Sequence, residues 1–251
     1  MDSNDNLIAS EAIKRRQMIL FFMVDTSGSM YGAKIASVND AIKNVLPIVG
    51  DISRNNADAE IMVSVLTFSS KVEWLYDEPK SAEDFIWQDM EADGLTRFGE
   101  ACKVLNEKLS RKSGYMKNLT GSGYYTPAII LLSDGEPTDV YENALQELKG
   151  NSWFKSSIKC AIAIGNDADT DMLKEFTGTS ESVITVHNIE ALKSIIKLIA
   201  ITSSTIGSQS KSASDKSKQD AVNEKIKQGS NQIDGVALSS QSSSSNDDDW
   251  D

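Results

Sequence analysis

Three short apolar runs recur along the chain, and each is bounded by polar or turn-forming residues. They are Met18 to Val24, Pro127 to Leu132 and Ile158 to Ile164. A strand with one face in water alternates apolar and polar residues, whereas a strand covered on both faces shows no such alternation. The runs therefore predict buried strands of a parallel sheet.

Further strands and helices are predicted between these runs. Ala59 to Phe68 is β-branched and aromatic, and Lys71 to Tyr76 follows it closely, which predicts a hairpin with an antiparallel strand at one edge. Ser182 to Val186 predicts a last short strand. Helical patterns fall between the strands, and this alternation indicates an α/β fold. We expect a doubly wound, Rossmann-like, mostly parallel six-stranded sheet with one antiparallel edge strand and helices on both faces.

Composition divides the chain into three parts. Residues 1–16 form a polar N-terminal segment, and residues 17–205 carry the α/β pattern. Residues 206–251 are rich in Ser, Gln, Asn, Lys and Asp. Because this last segment has few large apolar residues to bury, we predict that it is disordered.

Charge and cysteine content narrow the class of protein. The 251 residues carry a formal net charge of −12, which argues against nucleic acid and anionic membranes as partners. No stretch has the roughly 20 apolar residues of a membrane span, and residues 1–17 lack the pattern of a signal peptide. Cys102 and Cys160 lie in apolar patterns and predict core thiols rather than a disulfide. We expect a cytoplasmic protein.

Oxygen-bearing side chains follow two of the predicted strands. The run Asp25-Thr26-Ser27-Gly28-Ser29 comes directly after the first strand, and Asp134 follows the strand that ends near Leu132. In open α/β sheets, ligands bind beyond the carboxyl ends of the strands, so these groups meet if the two strands are neighbours. Thr96, at the start of a helical pattern, could bring another hydroxyl to the same crevice. Carboxylate and hydroxyl oxygens suit a hard cation such as Mg²⁺, with Mn²⁺ and Ca²⁺ as alternatives.

These three pieces, in this order, resemble the metal-ion-dependent adhesion site of von Willebrand factor type A domains, over roughly residues 17–205. The resemblance implies that Ser27 and Ser29 bind the metal directly and that Thr96 binds directly or through water. It implies that Asp25 and Asp134 act mostly through waters and by orienting the hydroxyls. A Glu or Asp of a protein partner would then complete the six oxygens that Mg²⁺ prefers.

Two further stretches resemble the cytosolic TerY-type proteins of bacterial tellurium-resistance and stress operons. They are Leu95 to Ala101 and Ser133 to Asp139. This resemblance implies partners encoded in the same operon, a protein kinase and a metal-dependent phosphatase of the PP2C type. The chain would be the docking component of a phosphorylation-based signalling system, and not an enzyme.

Two alternatives remain open at the level of sequence. A metal-dependent phosphatase could use Asp25, although such enzymes usually carry a second acidic residue two positions on, where this chain has Ser27. A scaffold of the same fold could bind partners without any metal. Phosphatase assays and metal titrations distinguish these alternatives from a metal-dependent interaction module.

The acidic run at the end of the sequence also has two interpretations. Such runs usually increase solubility. The residues Asp247, Asp248, Asp249, Trp250 and Asp251 could instead form a ligand motif, in which a carboxylate binds a metal and the indole is an apolar anchor.

Overall fold

The computed structural model describes residues 15–116, 123–165, 168–209 and 215–238. The strands are β1 (Arg16–Asp25), β2 (Ala59–Phe68), β3 (Val72–Trp74), β4 (Lys80–Ser81), β5 (Ala128–Ser133), β6 (Ile158–Ile164), β7 (Val183–Val186) and β8 (Val236–Leu238). The α-helices are α1 (Ala33–Arg54), α2 (Phe98–Lys108), α3 (Glu142–Gly150), α4 (Ser152–Ser156), α5 (Thr170–Thr177), α6 (Ile189–Gly207) and α7 (Asp215–Ser230). Short 3-10 turns cover Gly28–Met30 and Ser180–Ser182.

All the strands join one sheet in the order β3-β2-β1-β5-β6-β7-β8, with β4 also paired to β2. The five inner strands are parallel, and β3, β4 and β8 are antiparallel to their neighbours. The predicted doubly wound, mostly parallel sheet is confirmed. Its six expected strands are present, and β4 and β8 are two short additions that the sequence did not indicate.

The apolar runs are explained by cover on both faces of the sheet. Along β1, Leu20 and Phe22 belong to one core with α1 and α6, whereas Phe21 and Met23 belong to a second core with α2, α3 and α5. All four side chains are fully buried. Because both faces are covered from Met18 onwards, β1 has no position that favours a polar residue between Met18 and Val24.

The prediction that residues 206–251 are disordered needs correction between residues 215 and 238. Helix α7 packs on α6 and buries Val222 and Ile226 in the first core, and β8 adds to β7 as an antiparallel edge. The side-chain amide of Gln219 bonds both the N–H of Lys159 (2.7 Å) and its C=O (3.0 Å), which fixes α7 against the start of β6. Few apolar residues suffice because Val222, Ile226 and Leu238 are buried, and Ile233 and Val236 pack against the same core.

The remaining boundaries agree with the pattern more loosely. Arg16, assigned to the N-terminal segment, is the first residue of β1, and α6 continues to Gly207. Residues 1–14 and 239–251 lie outside the described residues. Among the helices of the described ranges, none combines the length and apolar character that a bilayer crossing requires.

Candidate metal centre

The site lies where the winding of the sheet reverses. Strand β1 pairs with β2 on one side and β5 on the other, and Val24 is level with Leu132. The parallel strands therefore place Asp25, the last residue of β1, beside Ser133, the last residue of β5. Asp134 follows at the same edge. The sequence prediction that two carboxylates meet here depended on this neighbour relation, which the topology supplies.

Asp25 is fully buried and holds the first loop in place. Its Oδ1 accepts a hydrogen bond from the backbone N–H of Ser27 (2.9 Å), and its Oδ2 accepts one from Ser133 Oγ (2.7 Å). Burial raises the pKa of Asp25 to about 6, and the hydrogen bonds from Ser133 and Ser27 oppose that rise. Both carboxylate oxygens accept hydrogen bonds, and these favour the ionised form against the effect of burial.

A chain of hydroxyls connects this loop to Asp134. Ser29 Oγ donates to Asp134 Oδ1 at 2.7 Å, and the Ser27 and Ser29 hydroxyl oxygens are 3.0 Å apart. Because Ser29 has only one hydroxyl proton, Ser27 is the donor between the two serines. Ser27 is buried, whereas Ser29 is exposed, so this oxygen cluster opens to solvent at Ser29.

Asp134 also carries an ion pair with Lys34. The Lys34 ammonium lies 2.8 Å from Asp134 Oδ2, and the two side chains are 17% and 0% exposed. Lys34 is the second residue of α1, which begins directly after the first loop. A positive charge thus already contacts the carboxylate that the sequence assigned to a metal.

Thr96 lies on a second loop that is tied to the first by backbone hydrogen bonds. The backbone N–H of Gly28 donates to the C=O of Gly94 (3.0 Å), and the backbone N–H of Asp93 donates to the C=O of Thr26 (2.9 Å). Thr96 itself is 5% exposed, and its hydroxyl makes no hydrogen bond to another described residue. Thr96 is thus a largely buried residue on the loop that is bonded to the loop of Ser27 and Ser29.

The third loop, residues 134–141, is bonded to the second. Thr138 donates its backbone N–H to the C=O of Thr96 (2.8 Å), and its hydroxyl accepts from the N–H of Thr96 (3.1 Å). Asp139 accepts from the N–H groups of Gly99 and Glu100 at the start of α2. We call the site formed by Asp25, Ser27, Ser29, Thr96 and Asp134 the cup.

Gly94 makes the close contact between the first two loops feasible. Its φ is +86°, a conformation that side chains rarely adopt, and a Cβ there would collide with the side chain of Ser70. Its C=O is the acceptor for Gly28, so the backbone conformation of this residue sets how near the Thr96 loop lies to the serine loop.

The donor set of the cup fits a hard divalent cation. It consists of oxygens alone, from three hydroxyls and two carboxylates, and the ammonium of Lys34 shows that Asp134 attracts a cation. In the described part of the chain, no group of three or more His, Cys, Asp or Glu side chains could hold a metal.

Sequence reasoning missed two residues of this site. Ser133 is the single hydroxyl at the end of an apolar strand, and that position was its only signal. Lys34 gave no signal, because a lysine in the first turn of a helix is usually solvated. The predicted tail residues Asp247, Asp248, Asp249, Trp250 and Asp251 lie outside the described residues.

Similarity to known proteins places the chain in a family. The chain is 27% identical over 181 residues to the inter-alpha-trypsin inhibitor heavy chain H2 of Mus musculus, which covers 65% of this chain and 17% of that protein. The chain thus spans about a sixth of the length of the curated relative that it matches.

Solved structures share the fold at low sequence identity. A von Willebrand factor type A protein from Catenulispora acidiphila superposes with a TM-score of 0.56 at 15% identity, covering 75% of this chain and 43% of that one. Proximal thread matrix protein 1 of the mussel byssus, solved with a zinc-occupied MIDAS motif, gives 0.56 at 18% identity, covering 77% and 49%. The family model for the von Willebrand factor type A domain matches residues 20–198, and the chain belongs to that family.

Proposed function

We propose that this chain is a metal-dependent protein-interaction module whose cup binds Mg²⁺, with Mn²⁺ and Ca²⁺ as alternatives, and uses it to bind a Glu or Asp of a partner protein. The observation that carries the proposal is the hydrogen-bonded line from Ser27 through Ser29 to Asp134 at the open edge of the sheet. The mussel protein has been solved with zinc in its MIDAS motif, its metal-ion-dependent adhesion site, and this is consistent with a metal in the cup.

The residues of the cup would have two different roles in binding the metal. Ser27 and Ser29 would turn their hydroxyl oxygens to the metal, with Thr96 as a third hydroxyl from the second loop. Asp25 and Asp134 would accept hydrogen bonds from these hydroxyls and from water. A first shell of mostly neutral oxygens leaves the charge of the cation uncompensated, and this favours an anionic ligand from outside.

Asp25 is arranged for holding a loop rather than for nucleophilic attack. It is buried, and its oxygens accept hydrogen bonds from Ser27 and Ser133. The residue two positions on is Ser27, which cannot serve as the acid that a phosphatase of this kind needs. The named relative is an inhibitor heavy chain, and its name denotes no enzyme. These points support binding over catalysis.

We place this module in a cytoplasmic TerY-like stress or signalling system. The support is the resemblance of residues 95–101 and 133–139, which supply the second and third loops of the cup. The partners would be a protein kinase and a PP2C-type phosphatase of the same operon, bound through an acidic side chain. The net charge of −12 argues against nucleic acid and anionic membranes as partners.

A second candidate is a metal-free scaffold, and the ion pair of Lys34 with Asp134 favours it. The ammonium already compensates the buried carboxylate at 2.8 Å, so the fold does not depend on a metal at this point. In such a scaffold the three loops would bind partners through shape alone.

Metal titration of the full chain distinguishes the metal-dependent module from the metal-free scaffold. Calorimetry with Mg²⁺ and Mn²⁺ compares the unmodified chain with Ser27→Ala/Ser29→Ala and with the control Ser110→Ala/Ser113→Ala, whose hydroxyls lie on an exposed turn after α2. We expect one site, with at least a tenfold loss of affinity in the cup variant alone. Equal affinities in all three proteins would contradict the proposal, and the absence of binding would favour the scaffold.

Partner capture then tests the role of the metal. The tagged chain and its cup variant are used to capture proteins from a lysate, with Mg²⁺ or with a chelator. We expect partners that are lost both with the chelator and with Ser27→Ala/Ser29→Ala. Capture that is unchanged by either treatment would show that binding does not use the cup.

A further inference from the structure

Exposed apolar side chains are concentrated around the cup. Among the described residues, four large apolar side chains are more than half exposed, and three of them are Tyr31 (79%), Leu95 (54%) and Val140 (80%). Each lies on a different loop of the cup. The fourth, Ile86, lies nine residues before Leu95 on the connection between β4 and α2, and it lines a separate cavity with Pro47 and Arg54 of the C-terminal half of α1. We call Tyr31, Leu95 and Val140 the rim.

The three loops hold the rim in a defined arrangement. The backbone N–H of Tyr31 donates to the C=O of Gly28 at 3.2 Å, and the backbone N–H of Leu95 donates to Ser70 Oγ at 3.0 Å. The third loop is bonded to Thr96 and to the start of α2, as described above. A carboxylate ligand needs only the metal, so apolar side chains kept in water around it favour a ligand that carries an apolar group beside its acid.

The sequence contains a segment with this chemistry. Asp247 to Asp251 places an indole between carboxylates, which is the combination that the cup and the rim would bind. Asp residues alone would match the metal, and Trp250 adds the large aromatic surface that anchors contacts in protein interfaces.

The geometry of the sheet brings this segment within reach. Leu238, the last residue of β8, pairs with Ile184, and pairing across β6 and β5 makes it level with Val24. Four strand spacings of about 4.8 Å separate β8 from β1, or about 19 Å. Because β8 is antiparallel to β7, the chain leaves Leu238 away from the edge that carries the cup and must turn back. The 13 residues from Leu238 to Asp251, at about 3.3 Å each, span up to about 43 Å, which allows for such a turn.

The approach from β8 also avoids an acidic region. A cavity of about 400 Å³ beside the cup is lined by acidic side chains, including Glu73, Asp89 and Asp93, and it lies on the side of β2 and β3. Strand β8 is at the opposite edge of the sheet. An acidic segment that comes from β8 therefore reaches the cup without crossing this cavity.

We propose that residues 247–251 bind the cup of their own chain, with one Asp at the open position of the metal and Trp250 against the rim. The inference rests on the proposed function, because it requires the metal. An outside partner would then have to displace this segment. For a short tether the effective concentration is of the order of 1 mM, so even a weak internal ligand competes strongly.

A labelled peptide of residues 239–251 tests the inference on the full chain. Fluorescence anisotropy measures its binding, in Mn²⁺ or chelator, to the unmodified chain and to a variant with its own segment neutralised. That variant carries Asp→Asn at 247, 248, 249 and 251 and Trp250→Ala. We expect metal-dependent binding to the neutralised variant and at least tenfold weaker binding to the unmodified chain, whose own segment competes.

Rim variants in the neutralised background identify the surface. We expect Tyr31→Ala and Leu95→Ala each to weaken the peptide about tenfold, and Ile86→Ala, an equally exposed apolar residue off the rim, to change nothing. A peptide with Trp250→Ala should also lose about tenfold. Peptide binding that the chelator does not reduce would overturn the inference. An affinity for the peptide that is the same in the rim variants and in Ile86→Ala would also overturn it.

Two outcomes separate this inference from the proposed function. If calorimetry shows metal in the cup but the peptide does not bind, the inference fails and the metal-dependent module stands. If no metal binds, both fail. Dimers of the unmodified chain that dissociate on neutralising residues 247–251 would place the segment in a second copy and overturn binding within one chain.

Discussion

The ion pair of Lys34 with Asp134 makes a testable prediction about the metal. Lys34→Met keeps an unbranched side chain at the start of α1 and removes the charge. Asp134 is 0% exposed, and removal of one partner of a buried pair costs about 3 kcal/mol. For a domain of this size each kcal/mol lowers the melting temperature by about 2–4 °C. In a chelator we therefore expect Lys34→Met to melt about 6–12 °C below the unmodified chain.

Mg²⁺ should reverse most of this loss. The cation would lie close to the carboxylate that Lys34 now neutralises, so the two positive charges compete, and removal of the ammonium strengthens binding of the cation. We expect Lys34→Met to bind Mg²⁺ at least tenfold more tightly, which corresponds to 1.4 kcal/mol. Because binding stabilises the folded state by linkage, the difference in melting temperature should shrink by half or more in saturating Mg²⁺. Differential scanning calorimetry with and without Mg²⁺ measures both effects.

Lys43→Met is the matched control for this prediction. Lys43 is on the same helix and pairs with Asp89 at 3.4 Å, but the two side chains are 58% and 62% exposed. Exposed pairs contribute less than about 1 kcal/mol, so this variant should melt within about 2–4 °C of the unmodified chain with and without metal. If Lys34→Met loses the same stability in chelator and in Mg²⁺, then Lys34 and the metal do not share Asp134, and the reasoning is refuted.

Three further predictions concern the loops, the thiols and the appended helix. Gly94→Ala should weaken Mg²⁺ binding at least tenfold by calorimetry, whereas Gly123→Ala, also at positive φ but with nothing within 4 Å, should leave it unchanged. Cys102 and Cys160 are buried and free, and burial raises the pKa of both thiols, so a thiol reagent at pH 8 should label them only after unfolding. Gln219→Ala should speed hydrogen exchange in residues 215–238, and unchanged exchange would show that its bonds to β6 do not hold α7.

The sequence predicted the inner sheet because that part of the fold has a simple physical signature. A strand that is covered on both faces has an apolar residue at nearly every position. This pattern identifies β1, β5 and β6 from the sequence without knowledge of any distant contact. The ends of those strands then predicted which polar residues meet, and the structure places Asp25, Ser27, Ser29 and Asp134 in one hydrogen-bonded set.

The parts that sequence could not predict depend on tertiary contacts. A proline inside a helix usually kinks or ends it, yet α1 continues through Pro47 to Arg54, and Val45 and Val49 on either side of the proline pack into the core. Helix α7 has a polar composition, and its stability comes from two buried apolar residues and from Gln219 on the backbone of β6. Composition reports how much a segment can bury on average, and it does not report a few well-placed contacts.

Charge balance makes a prediction about how a metal and an acidic ligand would bind the proposed site together. Asp25 and Asp134 contribute two negative charges, and Lys34 compensates one of them, so the cup without metal carries one net negative charge. A divalent cation would leave one net positive charge, and a single carboxylate from outside would then neutralise the site. An anion alone would meet a negative cup, whereas after the cation is bound it would meet a positive one. Metal and acidic ligand should therefore bind cooperatively. By reciprocity, a carboxylate ligand should raise the affinity for Mg²⁺ by the same factor by which Mg²⁺ raises the affinity for the carboxylate ligand.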